Sequence, residues 1–476
     1  MNADIAKGAA AIVFDSRKVI PGAVFVAVPG THDDGARYVG EAVAKGAAVV
    51  VVQEGVALPE VAARVVRVPD ARRFLAELAA RFHGNPSDSL AVYGVTGTNG
   101  KTTVAGLVRD MAAACGRPCG LLSTVEYSWP GHCEESSRTT PDPVFIQRAF
   151  AEMRRAGCSA VAMEVSSHAL SQDRVAAVRF AAAGFTNLSQ DHFDYHHDFE
   201  DYFACKRRLF ERLGAGAPGA PALVNADDPF GRRLIADGRS LGVTPVPYSV
   251  DGAGEVAASG VSLGAAGTSF TLTAFGRSAR VETGLIGRYN VSNVLCAAGM
   301  AIATGMPFDR VVETAAKARP RWGRLEVVHA KNGARVFVDY AHTPDAIEKA
   351  LGALREVTRG CLTIVFGCGG DRDRAKRPLM AAVAARLADR VVLTSDNPRT
   401  EDPEAILDDV EAGIRGSATP YVRIADRRAA IAEAVGGLKP DDVVLVAGKG
   451  HENYQEVNGR HFHFDDREVV RQLIGG

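Results

Sequence analysis

Thr96-Gly97-Thr98-Asn99-Gly100-Lys101-Thr102-Thr103 is the stretch of this sequence best suited to holding a polyanion. It follows an apolar run, Leu90 to Val95, that reads as a buried parallel strand. It precedes Val104 to Cys115, which reads as a helix stopped at Gly116. A glycine turn between a strand and a helix aims free backbone N–H groups and the positive end of the helix dipole at one point. Glycine lets phosphate approach the backbone closely, Lys101 adds a point charge, and the Thr102 hydroxyl suits Mg²⁺. The common phosphate loop places its first glycine farther from the Gly-Lys pair; at that place this chain has Val95, and Gly97 supplies a shorter loop.

Acidic and histidine-bearing motifs follow. The apolar run Ala160 to Val165 contains Glu164, and a carboxylate inside a strand is costly to desolvate unless something such as a divalent cation offsets it. Ser166, Ser167, His168, Gln172 and Arg174 come directly after. The next strand, Ala181 to Thr186, opens into Asp191-His192-Phe193-Asp194-Tyr195-His196-His197. Parallel strands present ligand-binding residues at their carboxyl ends, so Glu164 and His192 with Thr102 form a candidate Mg²⁺ site. A polar loop with satisfied histidines fits the same pattern. Lys206 lies in an amphipathic stretch, Tyr202 to Phe210, where a solvated lysine is the ordinary reading. Ser137 to Pro143 is a hydroxyl-rich loop that suits either a sugar-phosphate or a helix entry. Asn290 and Asn293 share one helix face and suit either a purine edge or a cap.

Near the C-terminus, four polar loops each follow a short apolar run. They are Asp339-Tyr340-Ala341-His342, Gly369 to Asp373, Asp396-Asn397-Pro398-Arg399 and Gly448 to Glu452. Gathered at one end of a sheet, they make a crevice for an ionic ligand. Arg372 and Arg399 suit a carboxylate, and Glu452 suits an ammonium. Both charge signs together suggest an amino acid.

The elements that position these residues divide the chain into three α/β units. Residues 1–88 read as a small unit with strands at Ala11 to Phe14, Ala23 to Val28 and Ala47 to Val52, a helix from Ala36 to Lys45, and a linker at Asn85-Pro86-Ser87. Within it, Ser16-Arg17 and the loop Gly30 to Gly35 suit a phosphate or a uracil, or simply form a surface turn. Residues 89–318 carry the phosphate loop on a parallel sheet, with a β-meander appended from Gly254 to Ile286. Arg319 to Glu326 reads as a hinge, and residues 319–476 alternate strands with helices starting near Pro344, Pro378 and Pro403, a doubly wound, Rossmann-like sheet. The net charge of −1 over 476 residues gives no footprint for nucleic acid, and the apolar runs fall short of a membrane span. The start of the chain lacks a secretory pattern, and eight scattered cysteines without a C-x-x-C pair suit free thiols in the cytoplasm.

Taken in order, Asp15-Ser16-Arg17, Gly97 to Thr103, Thr139-Thr140-Pro141, Glu164 to Leu170, Asp191 to His196, Tyr202 to Lys206, Asp339 to Pro344 and Gly448 to Glu452 resemble the motifs of the Mur ligases. These are ATP-dependent amide ligases of peptidoglycan synthesis, and the resemblance spans nearly the whole chain. It implies a small-molecule enzyme acting as a monomer, with ATP as co-substrate, Mg²⁺, and Lys206 carbamylated by CO₂. Lys101, Lys206, Glu164 and His192 would be catalytic, and Thr102, Glu164, His192 and carbamylated Lys206 would hold the metal. Gly97 to Thr103, Asn290, Asn293, Arg324, Asp339 and His342 would touch ATP. Ser16, Thr31, His32, Asp33, Thr139, Thr140, Ser166, Gln172 and Arg174 would contact a UDP-muramoyl-dipeptide. Arg372, Asp396, Asn397, Pro398, Arg399, Gly448 and Glu452 would hold meso-diaminopimelate, and Asp396 to Arg399 resembles the signature of members that use it. Members that add lysine or a dipeptide, folylpolyglutamate synthase-like ligases, and a nucleotide-driven switch are the alternatives.

Overall fold

Valine- and alanine-rich strands alternate with capped helices along the whole chain, and each run of alternation closes its own sheet. The computed structural model describes residues 2–30, 34–58, 60–252, 254–264, 266–320, 323–331 and 333–475. Among these, sheets of four, eleven and six strands follow one another in sequence, joined by a two-stranded hairpin near the end.

The first sheet pairs Ile12–Val13, Val24–Val26, Val49–Gln53 and Arg64–Val68, all parallel. The helix Ala71–Phe82 buries Ala71, Phe74, Leu75 and Leu78 at helical spacing against it, with Asp70 capping the N–H groups of Arg72 and Arg73. This strand and helix are additions to the sequence reading; Arg64–Val68 places charged residues at both ends of an edge strand, which hides its period. The expected helix from Ala36 is shorter, a 3₁₀ turn at Gly35–Tyr38 followed by Val39–Ala44.

The eleven-stranded sheet places Ala91–Thr96 between Phe180–Phe185 and Ala160–Glu164, parallel to both. The strand ends that carry the phosphate loop, Glu164 and the Asp191 segment therefore lie side by side. The meander is present as Val256–Gly264, Gly267–Ala274 and Arg277–Thr283, antiparallel among themselves and continuous with the main sheet. The helix Lys101–Ala114 begins earlier than Val104, because Gly100 at φ +88° turns the chain straight into it. The helix Arg288–Ala303 is almost wholly apolar and packs on the sheet through Val291, Val294, Leu295 and Ala298.

The six-stranded sheet runs Glu326–Lys331, Ala334–Asp339, Val443–Ala447, Leu362–Phe366, Arg390–Leu393 and Tyr421–Arg423. Only the first pairing is antiparallel. The four polar loops accordingly leave the same edge. The helix expected from Pro378 starts at Lys376, since proline in the first turn gives up an N–H that has no helical partner there. Tyr421–Arg423 and the hairpin Tyr454–Val457/Arg460–His463 are additional elements.

A buried ion pair ties this last sheet to the terminal helix. Arg427 Nε donates to Asp466 Oδ1 at 2.8 Å and Nη2 to Oδ2 at 2.7 Å. The remaining guanidinium hydrogens reach the carbonyls of Ser395 at 3.2 Å and Ala447 at 3.0 Å. Both side chains are completely buried. Removing one partner leaves an uncompensated charge. Arg427→Ala should cost about 3–5 kcal/mol in urea unfolding, and the double change Arg427→Met/Asp466→Leu should cost less than that single change.

Candidate functional site

The phosphate loop is held by hydrogen bonds that spend its Thr98 and Asn99 amides on the segment after the neighbouring strand. Thr98 N donates to Asn187 O at 2.9 Å, Asn99 N to Asn187 Oδ1 at 3.0 Å, and Thr186 Oγ1 to Asn99 O at 2.6 Å. Gly97 has φ +146°, and a Cβ there would lie 1.9 Å from Thr186 Oγ1. Gly100 has φ +88°, and its Cβ would lie 2.4 Å from Asn293 Oδ1. Neither place admits a side chain. Lys101 Nζ donates to the carbonyls of Gly97 and Thr98 at 2.9 and 2.8 Å. Lys206 Nζ, fully buried, donates to the same Gly97 oxygen at 2.8 Å. Burial, and then the Lys101 charge, push the Lys206 ammonium well below the ordinary lysine range. The lysine that pattern alone assigns to solvent is thus an interior group.

Glu164 is also buried, and accepts from Thr124 N at 2.8 Å and Thr124 Oγ1 at 3.1 Å. Thr124 Oγ1 meets Thr139 Oγ1 at 3.2 Å. Thr140 Oγ1 donates to the Glu164 carbonyl at 2.9 Å and accepts from Ser166 N at 3.0 Å. Arg174 holds the Thr140 carbonyl at 2.7 Å and grips Gln172 Oε1 with two N–H groups at 3.0 and 2.7 Å. Thr139, Thr140, Ser166, Gln172 and Arg174 therefore form one wall. His192, in the left-handed region at φ +58°, has Nε2 3.3 Å from Asp191 Oδ2. Burial pushes its imidazole down to about 3. Burial opposes the Asp191 charge, but His192, Lys376, His342 and Lys101 outweigh it and hold that carboxyl below the usual range. Among the described residues no cluster of three or more His, Cys, Asp and Glu is assembled for a metal. The expected set contains only Glu164 and His192 of those types, with a hydroxyl and a lysine completing it.

The C-terminal unit is seated on this loop. Asn99 Nδ2 donates to Asp345 Oδ2 at 2.7 Å and Ser189 Oγ to the same oxygen at 3.2 Å. Arg324 Nη2 donates to Thr102 Oγ1 at 3.1 Å. Lys376 Nζ stands 3.7 Å from Asp191 Oδ1. A cavity of about 440 Å³ at this junction is lined by Asn99, Asn187, Asp228, Tyr289, Asn293 and Lys349. A smaller one of about 70 Å³ is lined by Thr102, Asn290, Arg324, Asp339 and Tyr340. Asn290 spends its amide within the helix entry, donating to Ile286 O at 2.9 Å and accepting from Asn293 at 3.0 Å. Burial pushes Asp339 up to about 6 while it accepts from Leu325 N at 2.6 Å. His342 Nδ1 lies 2.7 Å from Tyr340 O, and burial lowers its ring to about 4.

Three of the four polar loops converge on a hydrogen-bonded cluster of mixed charge. Asn397 Nδ2 donates to Glu452 Oε2 at 2.8 Å, and Lys449 Nζ bridges Asn397 Oδ1 at 3.1 Å and Glu452 Oε2 at 3.0 Å. Arg399, at φ +53°, donates through Nε to Glu456 at 3.1 Å and through Nη1 to Gly370 O at 2.7 Å. Gly448 has φ +115°, and a Cβ there would strike Asp396 Oδ2 at 2.4 Å. The carbonyl of Pro398 leaves the same kind of gap beside Gly370, 1.9 Å from where a Cβ would stand. Arg372 stays exposed, its Nη1 on the Asp371 carbonyl at 2.9 Å, with its Cγ 3.9 Å from the Cβ position of Gly369.

On the other side of the central unit, a cavity of about 930 Å³ is lined by Phe14, Ser16, Arg17, Glu41, Arg138 and Asp142. Ser16 Oγ donates to Glu41 Oε2 at 3.0 Å. Thr31, His32 and Asp33, expected at this cleft, lie outside the described residues. Thr124, Asp345, Lys376 and Lys449 are site residues that sequence reasoning missed. None sits in a glycine-marked motif except Lys449, and that one reads as an ordinary loop lysine.

Comparison with known proteins decides the family. The Mur ligase family, catalytic domain matches residues 9–83, the Mur ligase middle domain residues 95–301, and the Mur ligase glutamate ligase domain residues 323–450. This chain is a member of the Mur ligase family. It is 45% identical over 457 residues to the UDP-N-acetylmuramoyl-L-alanyl-D-glutamate--2,6-diaminopimelate ligase of Thermosynechococcus vestitus, covering 95% of this chain and 90% of the relative. It is 42% identical to the enzyme of that name from Coxiella burnetii, covering 98% and 95%. A solved structure of a ligase of that name aligns with TM-score 0.70 and 34% identity over 98% of this chain and 95% of that one. MurF from Acinetobacter baumannii shares the fold, with TM-score 0.68 at 17% identity over 100% and 98% of the two chains. In this Mur ligase Asp345 of the C-terminal unit accepts twice from the central unit, and its contacts contribute to the seating. Asp345→Ala should raise the radius of gyration in small-angle X-ray scattering, with little change in melting temperature, because the contact lies between units and outside their cores.

Proposed function

We propose that the protein joins meso-2,6-diaminopimelate to the D-glutamate of UDP-N-acetylmuramoyl-L-alanyl-D-glutamate, at the expense of ATP. The observation that carries this reading is the mixed-charge cluster of Asp396, Asn397, Arg399 and Glu452 on a unit seated against the phosphate loop through Asp345 and Asn99. An amino acid bound there faces whatever the loop has activated. Residues 1–88 would take the uridine diphosphate end, residues 89–318 ATP, and residues 319–476 the amino acid. The near full-length likeness to diaminopimelate-adding ligases supports the same substrates.

A carboxylate is a poor acyl donor, and transfer of the ATP γ-phosphoryl to the D-glutamate carboxylate makes it a good one. The amides of Gly100 and Lys101 at the helix start and the Lys101 ammonium hold the phosphates and offset the charge that builds on them. The wall of Thr139, Thr140, Ser166, Gln172 and Arg174 orients the peptide end of the nucleotide. Glu452 and Asp396 hold the ammonium of diaminopimelate, and Arg399 and Arg372 its carboxylate. The free amine at the other end attacks the acyl phosphate, phosphate leaves, and the amine proton passes to solvent or to a neighbouring base. Contacts of Asp345 and Arg324 with the central unit keep water out while this happens.

The chemistry of the donors fits a hard cation. Thr102 and Glu164 offer oxygens, His192 is held neutral, and burial lowers Lys206, favouring the free amine that would react with CO₂, releasing one proton and gaining a carbamate with two oxygens. Mg²⁺ held by these residues would supply charge neutralisation for the transferring phosphoryl group. The free thiols suit a reducing cytoplasm, and the protein would act there as a monomer.

The direct test offers ATP, Mg²⁺ and the UDP-muramoyl-dipeptide with either diaminopimelate or lysine, and weighs the product. Phosphate release that ignores the amino acid, with the sugar-peptide mass unaltered, refutes the reading. Lys206→Ala should abolish turnover and remove a carbamate signal from the ¹³C NMR spectrum of protein kept in ¹³CO₂. Arg399→Ala should raise KM for diaminopimelate by about tenfold or more, with KM for ATP within about twofold of normal.

A further inference from the structure

Lys449 is a fully buried lysine for which the reaction above has no use. Its ammonium donates to Glu452 Oε2 at 3.0 Å and to Asn397 Oδ1 at 3.1 Å, and it lies 5.4 Å above the Tyr454 ring. Resting on the functional reading, we propose that Lys449 is the positioning residue of the amino-acid pocket, setting which oxygen of Glu452 and which edge of Asn397 face the incoming diaminopimelate.

The hydrogen bonds leave one arrangement. Asn397 Oδ1 accepts from Lys449 and from Glu456 N at 2.9 Å, so a flipped amide would set its NH₂ group against two donors. Its Nδ2 therefore points to Glu452 Oε2, which it reaches at 2.8 Å. Oε2 takes both donors, and Oε1 is the oxygen of Glu452 left to accept from a ligand. One N–H of Asn397 and Nη2 of Arg399 remain as donors for a carboxylate. An amino-acid end, ammonium on Glu452 and carboxylate on the donors, is the ligand class this arrangement selects.

Lys449 also decides the charge of the pocket. Glu452 is faced by Asp396, Lys449, Arg427, Tyr340 and Tyr454. Arg427 is already bound to Asp466. Burial, then the Asp396 charge, favours the protonated form of Glu452, and Lys449 is the cation bonded to it that opposes both. With Lys449 gone, no bonded cation opposes burial and the Asp396 charge, so the Glu452 carboxyl moves further toward its protonated form and its hold on an ammonium weakens.

Lys449→Met should raise KM for diaminopimelate about tenfold or more at pH 7, with KM for ATP and for the nucleotide substrate within about twofold. Because deprotonation restores the Glu452 charge, the defect should shrink as pH is raised across the assay range. The wild-type KM should change little over that range. Glu452→Gln should raise KM in the wild type and add less in the Lys449→Met background, since Lys449 acts through the Glu452 carboxylate it is bonded to. Melting temperature identifies a variant that fails to fold, and Lys449→Arg, which keeps the charge, then serves with the Glu452→Gln cycle. Additive effects of the two changes, or a pH-independent defect, overturn the role of Lys449. Absence of any diaminopimelate-dependent turnover in the wild type overturns instead the functional reading on which it rests.

Discussion

Two lysines, Lys101 and Lys206, point their ammonium groups at one oxygen, the carbonyl of Gly97, from the start of one helix and the middle of another. Like charges at this separation repel, and the repulsion grows as water is removed. The arrangement is tolerable only because the loop is rigid, because Glu164 and Asp191 lie within electrostatic reach, and because burial drives Lys206 toward its neutral form. An anion laid against the loop relieves the same tension, and so does converting Lys206 from a cation to an anion. The rest of the molecule is arranged around that demand.

Three parallel strands bring the groups together. Ala91–Thr96 carries the loop, Ala160–Glu164 ends on the carboxylate, and Phe180–Phe185 leads into the Asp191 segment. Parallel pairing puts all three ends at one edge, which is why side chains about a hundred residues apart in sequence become neighbours. The C-terminal sheet repeats the device with its own strand ends, and Asp345 joins the two edges by accepting from both Asn99 and Ser189. The phosphate loop and the mixed-charge cluster are thereby carried on separate units, and under the proposed function this would let one reactant be activated before the other is brought in.

Much of this was readable from residue types. Glycine at 97 and 100, followed by Lys101 and Thr102, predicts a phosphate loop because nothing else accepts positive φ so cheaply next to a helix start. Glu164 inside an apolar run announces a buried carboxylate, and the structure places it there. Thr124 was not legible: its N–H and hydroxyl hold Glu164, but in sequence it is one threonine after a short strand. Lys376 was not legible either, since its importance lies in Asp191 on another unit. The alternatives left open for Asn290 and Asn293 also needed coordinates, which show Asn290 spent on the carbonyl of Ile286 and Asn293 turned toward Gly100.

What the chain alone determined is the order of strands and helices, the glycine turns, and the chemical types gathered at the strand ends. These depend on local backbone preference and on hydrophobic period, which act between residues close in sequence. Tertiary structure decided the charge states and the partners. Whether Lys206 faces water or Gly97, and whether Lys449 is a loop lysine or the counterion of Glu452, depends on how much water the packed units exclude. Desolvation is a property of the assembled interior, and no stretch of sequence carries it by itself.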